Sequence, residues 1–231
     1  MQDKKINIYQ IFFKEEQREI LDPAFIPYDN ITPEIGPELS NKFREWPVIR
    51  QSGYQKAIDA QADIWGFVSY KFEEKTNISG DKFIRFIEDN PDNDVWFMEP
   101  YYRPQCPFFN PWTQGDIYHK GISQIPNYLF KLAGNPIDVT QIPMRFCWYN
   151  FFAGTQKFWD QYFEAIDDMI EVSRKDPKLK EILFDIGAGH GNDTTVPYFI
   201  FVVERMFPTL LALGGLKAAG LIYEHKDFVF G

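Results

Sequence analysis

Three consecutive polar residues, Ser69, Tyr70 and Lys71, follow an apolar segment at a position where α/β proteins often carry out chemistry. That segment, residues 64–68, is short and has polar neighbours on both sides, which is typical of a strand buried on both faces. Gly66 removes a side chain in the middle of the strand, where another backbone or a ligand can approach closely. Open α/β sheets bind ligands outside the carboxyl ends of their strands. The three polar residues are therefore predicted to border a binding site.

Carboxylates with the spacing of a metal site occur at Asp92-Asn93-Asp94. Hard oxygen ligands of this kind suit Mg²⁺ or Mn²⁺. The pair precedes a predicted strand, residues 95–98, and does not follow one, which favours a solvated turn over a metal site. Glu99 directly follows that strand and is better placed, but it stands alone. The identity of any metal ligands is therefore left open.

Polar residues also interrupt two apolar segments. Asn150 lies within the aromatic segment 145–154 and must be hydrogen-bonded if it is buried. It either satisfies a neighbouring backbone group or reads the hydroxyl groups of a ligand. Glu204 and Arg205 interrupt the apolar segment 198–213, which is predicted to be a helix. Either these charges form ion pairs in the core, or Glu204 is a carboxylate that faces a substrate.

A glycine-rich segment, residues 182–191, resembles the first motif of S-adenosylmethionine-dependent methyltransferases. That motif requires a preceding strand, a following helix and a second strand with an acid about 20 residues further on. Here the segment is followed by a predicted apolar helix and only a short predicted strand. A mobile loop is therefore the favoured interpretation, and a methyltransferase remains a minor alternative.

The composition limits the classes of function. The chain has 231 residues, 45% of them hydrophobic, and a formal charge of −9, which argues against a protein that binds nucleic-acid phosphates. Cys106 and Cys147 lack metal-type spacing and are predicted to be buried thiols, which favours a reducing compartment. The three histidines share no ligand spacing. The first apolar run ends at Lys14, too early for a signal peptide or a membrane span, so a cytoplasmic location is expected.

Strands and helices alternate along the chain, which predicts an α/β fold with a mixed, mostly parallel sheet. The predicted strands are residues 6–13, 63–71, 95–98, 144–153 and 221–223. The main predicted helices are residues 46–60, a helix capped by Ser79, and residues 116–133, 155–174 and 198–213. Residues 22–41 contain five prolines or glycines and are predicted to form an ordered loop.

In their order along the chain, four segments resemble those of bacterial GT-A-type glycosyltransferases of capsule and surface-polysaccharide clusters, which include a family known mainly as a domain of unknown function. These segments are Gly66-Phe-Val-Ser-Tyr-Lys-Phe72, Asp94-Val-Trp-Phe-Met-Glu-Pro100, Tyr149-Asn-Phe-Phe-Ala-Gly154 followed by Phe158-Trp159, and Val203-Glu-Arg-Met-Phe207. The resemblance implies a single GT-A-like domain over residues 1–231. It also implies an enzyme that moves a sugar from a nucleotide-sugar donor to a surface-polysaccharide or glycan acceptor.

The resemblance also implies roles for individual residues. The predicted nucleotide-sugar contacts are Gln10, Tyr28, Asp29, Asn30, Arg50, Ser69, Lys71 and Asn150. Among these, Arg50 and Lys71 would stabilise the departing diphosphate. Glu204 or Asp193 would be the general base. Related transferases often replace the metal-binding Asp-x-Asp with basic and aromatic residues, so a divalent metal (Mn²⁺ or Mg²⁺) is left open as a cofactor.

The expected partners are a nucleotide-sugar and a glycan acceptor, with no nucleic acid. A peripheral contact with a membrane-bound acceptor or with other transferases, at the inner face of the membrane, is left open. A non-catalytic carbohydrate-binding or scaffold relative of a transferase is the main alternative function.

Overall fold

The computed structural model describes residues 4–31, 43, 45–100, 108–188 and 196–224. In these residues six strands form one sheet with the order β2-β1-β3-β5-β4-β6. The strands are β1 (Ile6–Phe12), β2 (Ile26–Asp29), β3 (Ile64–Ser69), β4 (Val95–Pro100), β5 (Phe152–Thr155) and β6 (Ala218–Tyr223). β5 is antiparallel to β3 and β4, and the other neighbouring strands are parallel. The predicted mixed, mostly parallel sheet is therefore confirmed.

Helices cover both faces of this sheet. The first, α1, runs from Trp46–Val48 through a π-helical turn at Ile49–Gly53 into Tyr54–Asp59. The others are α2 (Phe72–Thr76), α3 (Gly80–Asp89), α4 (Pro111–Gly115), α5 (Gln124–Leu132), α6 (Gln156–Lys175), α7 (Pro177–Phe184) and α8 (Tyr198–Leu213). Two 3₁₀ turns, Glu15–Ile20 and Val139–Gln141, complete the helical segments of the described residues.

The buried strand β3 shows how the core is divided. Trp65 and Phe67 point into a large cluster shared with α1 and α5–α8, whereas Ile64 and Val68 point into a smaller cluster shared with α2 and α3. This alternation follows from the two-residue period of a strand. A Cβ at Gly66 would overlap the backbone of β5 at Phe152 and Ala153. The close approach that the sequence predicted at Gly66 is therefore to a neighbouring strand.

Local signals located several elements correctly. The predicted helix 198–213 is α8, residue for residue, and the predicted helix 155–174 is α6 within one residue. The Ser79 hydroxyl accepts a hydrogen bond from the Lys82 N–H at the start of α3, as a capping residue should. The predicted terminal strand at residues 221–223 belongs to the edge strand β6.

The predicted strand over residues 144–153 is wrong for most of its length. Tyr149 and Asn150 have positive φ angles of 65° and 55°, so the chain turns there and β5 begins only at Phe152. Extended backbone cannot contain two left-handed residues, whatever the hydrophobicity of the segment. The predicted helix 116–133 is helical only over α5.

Several short elements were not predicted, among them α4. β2 lies in the segment predicted as a loop, where an edge position tolerates Pro27. The helices α2 and α7 were also missed. α7 contains residues 182–184, so the segment preceding the glycine-rich motif is helical and not the strand that a methyltransferase requires. Residues 189–195 of that motif's loop lie outside the described part of the chain.

Across the described ranges, none of the helices combines the length and the hydropathy needed to cross a membrane. Cys147 is buried, as predicted, and its burial raises the pKa of the thiol well above its usual value. Cys106 lies outside the described residues.

Candidate functional site

A small cavity of about 90 Å³ lies at the carboxyl ends of β1 and β3, beside the turn that leads into β5. We call it the edge cavity. Its remaining walls come from Phe43 and the start of α1, from α2, from Tyr162 of α6 and from α8. The lining is mostly apolar and aromatic, and its charged, amide and aliphatic hydroxyl side chains are Glu45, Ser69, Lys75, Asn150 and Glu204. The cavity therefore lies where ligands bind in open α/β sheets.

Glu204 reaches the edge cavity from α8, in company with the apolar residues Ile200 and Val203. Within the described part of the chain, its carboxylate makes no hydrogen bond or ion pair. Burial raises the pKa of this carboxyl to about 7; the charge of Arg205 opposes the shift, that of Glu45 adds to it and that of Lys75 opposes it. A carboxyl group with this pKa exchanges a proton readily near neutral pH.

Arg205 is directed away from Glu204, although the two are adjacent in the sequence. Its Nε donates to the Pro111 carbonyl at 3.0 Å and its Nη1 donates to the Phe201 carbonyl at 3.0 Å. Adjacent residues of an α-helix point about 100° apart, so one faces the cavity while the other faces α4. Within the described residues, neither side chain therefore forms the core ion pair that the sequence left open. Arg205 donates to two backbone carbonyls, and Glu204 faces the cavity.

Lys75 and Glu45 line the edge cavity but were not singled out from the sequence. Lys75 lies on α2, and its ammonium group is 3.7 Å from the centre of the Tyr149 ring. Burial lowers the pKa of Lys75, while the carboxylates of Glu45 and Glu204 oppose that shift. In the sequence Lys75 lies in the charged segment 73–75, which is equally typical of the solvated surface of a helix. This segment by itself therefore does not indicate a functional site.

The turn at Tyr149 and Asn150 brings an amide group to the cavity. The Phe151 N–H donates to the Trp148 carbonyl at 3.5 Å, and the Phe152 N–H donates to the Asn150 carbonyl at 3.0 Å. Left-handed backbone at a bulky residue costs about 1–3 kcal/mol and persists only where the surroundings impose it. The Asn150 side chain lines the cavity and has no hydrogen-bond partner among the described residues. It is therefore available to a ligand.

Two predicted contacts at the ends of β1 and β3 have different environments. Ser69 lines the edge cavity, and its hydroxyl accepts a hydrogen bond from the Lys71 N–H at 3.3 Å. Gln10 is 1% exposed, and its amide donates to the carbonyls of Ser69 and Tyr70 at 3.3 and 3.5 Å. The Gln10 carbonyl oxygen accepts from the Asp22 N–H at 2.8 Å. Through these hydrogen bonds Gln10 connects β1 to the carboxyl end of β3 and to the segment that precedes β2. It does not line the cavity.

Tyr28, Asp29 and Asn30 lie together at the end of β2, on the same edge of the sheet but outside the cavity lining. The Tyr28 hydroxyl donates to the Ser52 hydroxyl at 2.6 Å. Asp29 forms an ion pair of 3.2 Å with Arg18. Asn30 is buried, and its N–H donates to the Phe12 carbonyl at 2.9 Å.

The structure does not bring Arg50 and Lys71 together. Arg50 lies on α1, where its guanidinium pairs with Asp167 of α6 at 2.6 Å and stacks over the Phe163 ring. Lys71 precedes α2 and pairs with Glu74 at 3.3 Å. Neither lines the edge cavity. Asp193, the other predicted base, lies outside the described residues.

Asp92 and Asp94 lie near the amino end of β4, on the opposite edge of the sheet from the cavity. Asp94 accepts hydrogen bonds from the Lys157 ammonium and the Lys217 N–H, both at 2.9 Å. In the described ranges, His, Cys, Asp and Glu residues form no group of three that could hold a metal ion. His190 and His225 lie outside those ranges. The Asp92–Asp94 pair therefore does not fit a metal at the edge cavity.

No protein-family model and no curated protein matches the chain. Among solved structures, it is similar to one described as the apo structure of WbbM, a bifunctional glycosyltransferase, with a TM-score of 0.52 and 13% sequence identity. The match covers 95% of this chain and 45% of that chain. This chain thus spans less than half the length of the similar structure. At such low identity the likeness concerns the fold alone, and it agrees with the α/β fold predicted from the sequence.

Proposed function

We propose that the chain transfers a sugar from a nucleotide-sugar donor to a hydroxyl group of a glycan acceptor, and that the transfer takes place at the edge cavity. The fold likeness to a glycosyltransferase supports the reaction class. The observation that carries the proposal is Glu204, a carboxylate without a hydrogen-bond or ion-pair partner in the described residues, whose pKa is raised to about 7 in a cavity at the carboxyl edge of the sheet.

In the proposed reaction, the acceptor hydroxyl attacks the anomeric carbon of the donor sugar. A new carbon–oxygen bond forms as the bond between that carbon and the diphosphate oxygen breaks. The hydroxyl proton passes to Glu204, which acts as general base, and the bonding electron pair leaves with the nucleoside diphosphate. The Lys75 ammonium would stabilise the negative charge on the leaving group.

The size of the edge cavity suggests how a donor would lie. A volume of about 90 Å³ accommodates the reacting groups but not a whole nucleotide-sugar. The nucleotide would therefore extend along the strand ends towards Tyr28, Asp29 and Asn30, which keeps these residues as proposed nucleotide contacts. Asn150 and Ser69 would orient the sugar through its hydroxyl groups. We propose that the reaction takes place in the cytoplasm, and at the inner face of the membrane if the acceptor is membrane-bound.

The test combines binding with catalysis. Thermal unfolding of the wild-type protein with UDP-, GDP-, CMP- and dTDP-sugars, with and without Mn²⁺, should show a raised Tm with one nucleotide family, because a ligand that binds the folded state stabilises it. Glu204→Gln should keep that shift and lose transfer by about a hundredfold or more. Glu88→Gln, at an exposed position on α3, is the matched control and should transfer normally. Normal transfer by Glu204→Gln would remove Glu204 as the base.

A non-catalytic glycan-binding protein is the second candidate. It is favoured by one observation: Gln10, Asp29, Arg50 and Lys71, all predicted from the sequence to contact the donor, are already engaged in interactions within the chain. This candidate predicts a raised Tm with glycans and no shift with any nucleotide-sugar. The same thermal-unfolding panel, extended to include glycans without a nucleotide, therefore separates the two functions.

A further inference from the structure

A second cleft lies between α5 and α7, next to the start of α8, and shares no lining residue with the edge cavity. We call it the lysine cleft. Its volume is about 560 Å³, which falls within the roughly 300–1,000 Å³ common for ligand sites. It is therefore large enough for a ligand of its own.

The lysine cleft is lined by positively charged side chains, although the protein as a whole is acidic. Lys120, Lys131 and Lys178 line it, while no Asp or Glu is among the lining residues that the structure describes. The whole chain carries 33 acidic and 24 basic residues, so this local excess runs against the overall balance. All three lysines are exposed, and within the described residues none forms an ion pair. Their ammonium groups are thus available to an anion.

Carboxylates close to the lysine cleft are engaged in hydrogen bonds, and Asp138 accepts one from the amide of the lining residue Asn127 at 2.8 Å. Asp176 accepts hydrogen bonds from the Tyr128 hydroxyl at 2.8 Å and from the Leu179 N–H at 2.9 Å. Asp116 accepts two hydrogen bonds from Ser123, one from its N–H at 3.1 Å and one from its hydroxyl at 2.5 Å. The hydrogen bonds from the Leu179 N–H and the Tyr128 hydroxyl, together with the nearby charge of Lys178, lower the pKa of Asp176. Neither Asp176 nor Asp116 forms an ion pair with a cleft lysine in the described residues.

The walls of the lysine cleft are apolar and aromatic. Its apolar lining residues are Ile125, Leu179, Ile182 and Ile186, and Ile186 is 43% exposed. Two tyrosine rings are fixed by their hydroxyl groups, Tyr128 on Asp176 and Tyr198 on the Lys120 carbonyl at 2.8 Å. Aromatic walls of this kind pack against the apolar faces of sugar rings, while ammonium groups pair with attached anions.

We propose that the lysine cleft binds an acidic oligosaccharide through the carboxylate or phosphate groups on its sugars. The proposal rests on the charge and shape of the cleft and does not require transferase activity. If the proposed function holds, the cleft would retain an inner part of the acceptor chain. α8 connects the two sites, since Tyr198 lines the cleft and Glu204 lines the edge cavity, roughly 9 Å further along the helix.

The test measures binding by titration calorimetry at low and high salt. The probes are oligogalacturonate, which carries carboxylates, a phosphorylated oligosaccharide of similar length, a neutral dextran oligosaccharide, and vesicles of phosphatidylglycerol. The cleft variant carries Lys120→Gln, Lys131→Gln and Lys178→Gln. The matched control carries Lys14→Gln, Lys82→Gln and Lys180→Gln, three exposed lysines that do not line the cleft.

We expect at least one acidic oligosaccharide to bind, dextran not to bind, and the affinity to fall as salt rises. The cleft variant should bind about tenfold more weakly or worse, while the control variant keeps wild-type affinity. Which acidic probe binds identifies the anion. Equal binding of dextran, unchanged affinity of a folded cleft variant, or binding of vesicles alone would overturn the proposal. Glu204→Gln should bind the acidic probe normally, because Glu204 does not line the lysine cleft. The transfer rate of this variant therefore tests the transferase proposal independently of the binding test.

Discussion

The Lys75 ammonium group lies 3.7 Å from the centre of the Tyr149 ring, so α2 is joined to the left-handed turn that precedes β5. A cation this close to a ring face is attracted by the ring quadrupole, more strongly where water is excluded. The contact holds the lysine at the edge cavity, where it faces the electrostatic field of Glu45 and Glu204. It also supports a strained backbone that presents Asn150 to the same cavity.

Replacement of Lys75 should impair the proposed transfer. We expect Lys75→Met to lower the transfer rate by about a hundredfold, because a group that stabilises the leaving diphosphate acts mainly in the transition state. Lys71→Met is the matched control, since Lys71 pairs with Glu74 outside the edge cavity. Steady-state kinetics with the donor identified by thermal unfolding would measure both. A larger loss in Lys71→Met than in Lys75→Met would restore Lys71 as the diphosphate contact.

Glu204→Gln should stabilise the free protein in a pH-dependent manner. The pKa of Glu204 is raised in the folded protein to about 7, so the folded state binds more protons than the unfolded state between about pH 4.5 and 7. The cost of burying the carboxylate is therefore absent below that window and complete above it, where it amounts to on the order of 3 kcal/mol.

Urea unfolding at pH 5 and pH 8 would measure this effect. Glu204→Gln should be more stable than the wild type at pH 8, and the difference should shrink towards pH 5. The exposed control, Glu88→Gln, should show no such trend. A gain in stability that is equal at both pH values would mean that Glu204 does not titrate in this range.

The rate of transfer should rise with pH through about pH 7. The general base must be ionised before it can accept the acceptor proton, and burial places the pKa of Glu204 near that value. A profile of kcat/KM against pH from 5 to 9 should show one inflection on its acidic side. The residual activity of Glu204→Gln should lack that inflection. If the inflection persists in this variant, another group is the base.

Arg205 should matter for stability and not for chemistry. Arg205→Met removes two buried hydrogen bonds from a charged donor, to the carbonyls of Pro111 and Phe201. We expect a loss of about 2–4 kcal/mol in the free energy of unfolding. Urea unfolding of this variant and of Arg85→Met, at an exposed site on α3, would measure it. An equal loss in both variants would argue against the anchoring role.

Local patterns in the sequence determined the elements that carry most of the core. The apolar period of α6, the uninterrupted apolar run of α8, the buried strand β3 and the Ser79 cap each act over a few neighbouring residues. Such signals can be read without knowing the fold. The alternation of strands and helices likewise predicted a mixed, mostly parallel sheet.

The tertiary structure alone decided which polar side chains share a site. Arg50 pairs with Asp167, which is 117 residues away in the sequence, and therefore lies against α6 and not at the strand ends. The left-handed turn at Asn150 and the different environments of Glu204 and Arg205 depend on packing between elements. A site at the edge of a sheet is assembled from the ends of distant strands and helices. Which residues line the site therefore depends on strand order and side-chain packing, and no local sequence pattern encodes either.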